Sequence, residues 1–119
     1  MKRLLLFIVS SSIVLGTLAG CATRSDFTAI SGKNVNLANM KIDKSMSKGR
    51  ASGEDCQHII IFIPTSGPAT LDEALDRALE PKQANLLLDA VVGHNWFYIP
   101  YIYGQECWKA EGVAYDTFK

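Results

Sequence analysis

The first hydrophobic feature of the chain is a run from Leu4 to Leu18, preceded by Met1-Lys2-Arg3 and broken only by Ser10-Ser11-Ser12, Gly16 and Thr17. From Ala22 to about Asn34 the pattern vanishes. That polar, turn-rich stretch predicts a flexible tether over residues 21–34, and at roughly 3.3 Å per extended residue it would reach about 40 Å. Between Val35 and Arg50 apolar positions recur weakly at every second residue. Val35 and Leu37 hold one parity and Met40, Ile42 and Met46 the other, which predicts a strand with a bulge or break. Gly49 to Asp55 reads as a turn or irregular strand. The segment Gln57-His58-Ile59-Ile60-Ile61-Phe62-Ile63 is β-branched and aromatic and stops at Pro64. Its unbroken apolar end predicts a central strand buried on both faces.

A different period begins at Thr70. Thr70-Leu71-Asp72-Glu73 fits a capping box, and Leu71, Ala74, Leu75, Ala78 and Leu79 recur at helical spacing to make one apolar stripe. Acidic residues near the start suit the helix dipole, and Pro81 ends the element. Leu86 to Val92 fits a strand or a continued helix, and the break at Pro81 with two terminal valines favours the strand. Asn95 to Tyr103 is strongly β-prone, with Pro100 restricting it to an edge or a bend. Glu106 to Tyr115 alternates: Trp108, Ala110, Gly112 and Ala114 share one face, Lys109 and Glu111 the other. A half-buried antiparallel strand is expected there, its small residues letting the helix approach closely. The order of elements predicts an α+β fold, a mostly antiparallel sheet of about four strands with one amphipathic helix packed on one face, in a single domain over residues 35–119.

The leading run gains meaning from its end, Leu18-Ala19-Gly20-Cys21. A short positive stretch, an apolar stretch and small residues before a cysteine make a signal peptide over residues 1–20. The box resembles the lipobox of bacterial lipoproteins, which implies an acylated Cys21 as the first mature residue and no cofactor beyond that covalent lipid. The rival, an uncleaved membrane helix, needs roughly 20 mostly apolar residues, and this run is shorter. Ala22-Thr23 after the anchor include no acidic residue, which by resemblance to enterobacterial sorting signals favours the outer membrane, with the domain facing the periplasm.

Removing residues 1–20 takes Lys2 and Arg3, so 12 basic residues fall to 10 against 12 acidic ones, a formal charge of −2. Nucleic acid is excluded as a partner on that balance. Lys33, Lys41, Lys44, Lys48 and Arg50 are opposed locally only by Asp43; a solvated edge strand protected by lysines accounts for them better than contact with anionic lipid. With Cys21 acylated, Cys56 and Cys107 are the remaining thiols, and an oxidising compartment favours their pairing.

From Gly49 to Asp116 the chain resembles a group of small bacterial lipoproteins that includes the Trl-like proteins. The carrying residues are Gly49-Arg50-Ala51, the Ile-rich strand, Thr70-Leu71-Asp72-Glu73-Ala74-Leu75 and Trp108-Lys109-Ala110-Glu111-Gly112-Val113-Ala114. The resemblance implies a fold and an envelope location, and brings no activity or site residues.

Chemistry has few candidates. Cys56, His58, His94 and Cys107 would supply four metal ligands, but their spacing matches no structural zinc pattern and the disulfide is preferred. Ser52 and Ser66 lack a nucleophile context, no Gly-x-Ser-x-Gly elbow exists, and phosphate loops are absent. No metal site and no enzyme are expected. Trp96, Tyr98, Tyr101 and Tyr103 form a candidate partner patch, since such residues are favoured at binding hot spots; core packing is the competing account. The resulting expectation is a lipid-anchored envelope protein that binds or assembles, with a membrane and another envelope protein as partners. The alternatives are a small-ligand or metal-binding lipoprotein, and a sensory lipoprotein in which the cysteine pair acts as an envelope-stress switch.

Overall fold

The computed structural model describes residues 20–33 and 41–118. The signal peptide expected over residues 1–20 therefore lies outside the described residues except for Gly20, as do Val35, Leu37 and Met40 of the weakly alternating stretch.

Five strands and one helix make up the described chain. They are β1 (Cys21–Ile30), β2 (Ser47–Ile60), β3 (Ile63–Pro64), α1 (Leu71–Leu79), β4 (Leu86–Ile99) and β5 (Tyr103–Tyr115). All pairings are antiparallel and the sheet order is β1-β4-β5-β2-β3. An antiparallel sheet carrying one helix agrees with the expected architecture, while the strand count is five instead of about four.

The helix forms where the capping box predicts it. Thr70 Oγ1 accepts from the Glu73 backbone N–H at 3.3 Å, and Ala74, Leu75, Ala78 and Leu79 are buried. The chain leaves α1 through one 3₁₀ turn, Glu80–Lys82, with Pro81 inside it. Against the stripe lie Ala51 of β2, Leu87 and Ala90 of β4, and Ala110 and Ala114 of β5. The face of β5 assigned to Trp108, Ala110, Gly112 and Ala114 is indeed the helix-covered one, and Ala110, Gly112 and Ala114 are buried. The tightest approach is on β2, where a side chain on Gly53 would collide with the Ala74 carbonyl and the Ala78 amide. An ion pair fixes the seating: Arg77 reaches Asp55 at 3.2 Å and donates to the Glu54 carbonyl at 3.0 Å.

Two expectations are corrected, and one is met in one of its alternatives. Residues 21–30 are a strand paired along β4, from Cys21 opposite Trp96 to Ile30 opposite Leu87, and no tether. Its residues Cys21 to Thr28 are exposed, so backbone pairing holds β1 in place and no buried stripe marks it. Gly49 to Asp55, expected as a turn or irregular strand, is strand within β2, irregular at its entry, where a bulge at Ser47/Gly49 gives Gly49 a φ of 84°. The Ile-rich segment is no strand buried on both faces: β2 ends at Ile60, the chain reverses through Ile61-Phe62, and Ile63-Pro64 pairs back. Ile60 through Ile63 are all exposed.

Leu86 to Val92 is strand, as favoured, and runs without a break into Trp96 to Ile99. Asp89, which interrupts the apolar run, has a φ of 49° inside a bulge between Leu88 and Val91. Pro100 falls in the turn between β4 and β5.

Candidate functional site

The sheet has two unlike ends. The helix and the buried cluster cover the end near Leu87 and Ala114, whereas the other end carries aromatic side chains and uncovered loops. Antiparallel pairing places Cys21 at this second end, opposite Trp96. Cys21 is exposed and its thiol is free. Gly20 abuts the same strand so closely that a Cβ would lie 2.9 Å from the Trp96 carbonyl oxygen.

Cys56 and Cys107 stand directly opposite each other on β2 and β5 and are joined, with Cα atoms 4.1 Å apart. Their side chains lie on the face away from α1. The four ligands of the metal alternative are not brought together. His58 shares the cystine's face, where its Nδ1 lies 2.6 Å from the Tyr103 hydroxyl. His94 has the opposite parity and lies on the helix side, 2.9 Å from Glu106 and stacked on Trp108 at 4.3 Å. A Glu54 carboxylate oxygen completes a cluster with the two sulfurs, all within 4.8 Å. Sulfurs bonded to each other offer no thiolate to a metal.

The same alternation divides the candidate partner patch. Trp96 and Tyr98 lie on the helix side of β4, Tyr103 lies on the other face beside His58 and Phe97, and Tyr101 stands in the turn. Ile59, His94, Trp96, Phe97, Tyr98, Gln105 and Glu106 line an open groove of about 430 Å³. Beyond it the two turns meet: the Ile61 N–H donates to the Ile102 carbonyl at 3.1 Å, and the Tyr98 hydroxyl donates to the Ile61 carbonyl. Phe62 packs edge-on against Tyr101 at 5.2 Å.

Sequence reasoning missed Ile61, Phe62 and Ile102 as surface residues. One signal was available: neither Gln57–Pro68 nor Asn95–Gln105 contains an Asp, Glu, Lys or Arg. It also missed Asn85, a buried polar side chain that donates to Thr117 Oγ1 at 2.6 Å and accepts from the Thr117 N–H at 3.0 Å. On the open face Lys109 and Glu111 form an exposed ion pair. Their hydrogen bond holds the Lys109 ammonium above its ordinary pKa and the Glu111 carboxyl below its own. Solvent screening leaves such a pair little influence on stability.

Comparison with family models, curated proteins and solved structures finds no match.

Proposed function

We propose that the chain is a lipid-anchored protein of the cell envelope, held to the outer membrane through Cys21 and facing the periplasm. It works by binding or assembly and has no catalytic step. The observation that carries this reading is the apolar run from Leu4 to Leu18 closing on Leu18-Ala19-Gly20-Cys21, with a Cys21 thiol that is exposed and unbonded. Two or more acyl chains hold a protein firmly, since each buried methylene contributes roughly 0.8 kcal/mol. The resemblance to the Trl-like lipoproteins belongs to the same proposal. Intact-mass measurement and membrane fractionation test it. The wild-type chain should appear without residues 1–20 and with added acyl mass, in the membrane fraction, and Cys21→Ser should lose both the cleavage and the acyl mass. An unchanged mass in the variant would refute the anchor.

The groove beside Trp96 favours a second reading, a lipoprotein that takes a small ligand between aromatic walls and the His94–Glu106 pair. A ligand bound there should alter tryptophan emission and lose affinity in Trp96→Ala. Ligands that bind equally well to that variant would exclude the groove.

A further inference from the structure

The two turns at the aromatic end form one apolar surface. Ile61, Phe62 and Ile63 from the β2–β3 hairpin and Tyr101 and Ile102 from the β4–β5 turn are between 50% and 73% exposed. Large side chains that remain uncovered side by side mark an interaction surface. These turns differ from ordinary surface loops, which carry charge: both segments lack Asp, Glu, Lys and Arg. The N–H and carbonyl of both Ile61 and Ile102 are tied inward, by the Ile61–Ile102 hydrogen bond, the Tyr98–Ile61 bond and the Ile102 N–H to the Ile99 carbonyl at 3.1 Å. Satisfied backbone groups are what an irregular segment needs before it can leave water.

The position of Cys21 identifies the occupant. β1 starts at this end and runs away from it, so the thiol sits opposite Trp96, three residues before the last residue of β4. At about 3.3 Å per residue that is roughly 10 Å from the turn. Whatever holds Cys21 to a bilayer brings the apolar turns to the same bilayer. Trp96 and Tyr98 just behind the turns are the residue types that settle at the level of lipid headgroups.

We propose that the tip formed by Ile61, Phe62, Ile63, Tyr101 and Ile102 enters the interfacial layer of the membrane that holds Cys21. The domain then stands end-on, with α1 and the buried cluster directed away from the lipid. This deepens the lipoprotein reading and rests on it for the membrane concerned. The surface fits the bilayer interface, and takes the lipid as a solvent without recognising a headgroup.

The test uses the full lipidated chain reconstituted into vesicles of phosphatidylethanolamine and phosphatidylglycerol, with and without brominated acyl chains. Phe62→Trp places a reporter in the hairpin, and Tyr101→Trp places a second in the other turn should the first disturb folding. Relative to the unsubstituted protein, the added emission should shift to the blue, fall with brominated lipid and resist iodide in the water. Emission quenched by iodide and indifferent to bromine would overturn the proposal. So would emission shielded from both, which means that a protein or a second copy covers the tip. The mass of the mature chain separates the two readings: an unquenched reporter on a chain with intact acyl mass defeats only the tip. A chain without acyl mass whose reporter is still quenched by brominated lipid defeats only the anchor.

Discussion

Asn85 shows how one residue can clasp three separate segments of the chain. It lies just before β4, and besides its two bonds to Thr117 its backbone N–H donates to the Tyr115 carbonyl at 3.0 Å and its carbonyl accepts from Ser31 Oγ at 2.7 Å. The end of β1, the start of β4 and the residues after β5 are thus held by the side chain, N–H and carbonyl of one residue. Replacing the side chain leaves the half-buried Thr117 hydroxyl and N–H without their partner, and an unmade bond of this kind costs about 1–3 kcal/mol. Asn85→Ala should lower the urea midpoint accordingly, and Thr117→Val, which removes only the hydroxyl, should lower it less. Equal stability of Asn85→Ala and the parent chain would mean that water satisfies Thr117 and that the clasp is not needed. Such a residue was illegible in the sequence because an isolated asparagine next to an apolar run reads as a loop.

At the scale of elements, α1 rests on β2 at Gly53, where the strand offers no side chain. Gly53→Ala puts a methyl group into the helix backbone at Ala74 and Ala78, and overpacking of that kind costs typically about 1–3 kcal/mol. Chemical denaturation should show the loss, while Ser52→Ala, on the opposite face, should show almost none. A Gly53→Ala chain as stable as the parent would place α1 elsewhere. The helix itself was legible because a cap, a stripe and a proline stop all point to one element. The alternation of β5 was legible for a similar reason, having one buried and one wet face. β1 was not, since an edge strand whose residues are exposed leaves no periodic trace. The Ile-rich run misled for a more general reason: an apolar segment without alternation has the same composition whether protein buries it or it is left uncovered at a turn. Ile61 reverses the chain at a φ of 62°, a conformation that β-branched residues rarely adopt, so turn propensity argued against a hairpin there.

Across the whole molecule, two different devices hold the two ends of the sheet. The end under α1 is packed, but its cluster consists largely of alanine, with Leu75, Leu79 and Leu87 as the large members. Among the described residues no helix covers the aromatic end, and there the Cys56–Cys107 bond ties β2 to β5 between the packed cluster and the turns. Across a separation of 51 residues, such a link contributes about 4 kcal/mol in the chain-entropy picture. That is a large share of the roughly 5–15 kcal/mol available to a small domain. The double variant Cys56→Ser with Cys107→Ser should therefore unfold at markedly lower denaturant, with its loss concentrated at one end. Amide exchange should accelerate first in Gln57–Ile60 and Tyr98–Gln105, beyond the missing link, while Ala74–Leu79 and Leu86–Ala90 open only with the whole domain. Uniform acceleration throughout the sheet would show that the domain is a single cooperative unit and that the cystine does not guard the aromatic end. A local effect would also connect covalent chemistry with membrane seating, because the same strands carry the turns. Reduced protein on vesicles would then lose the ordered tip while retaining the acyl anchor proposed at Cys21.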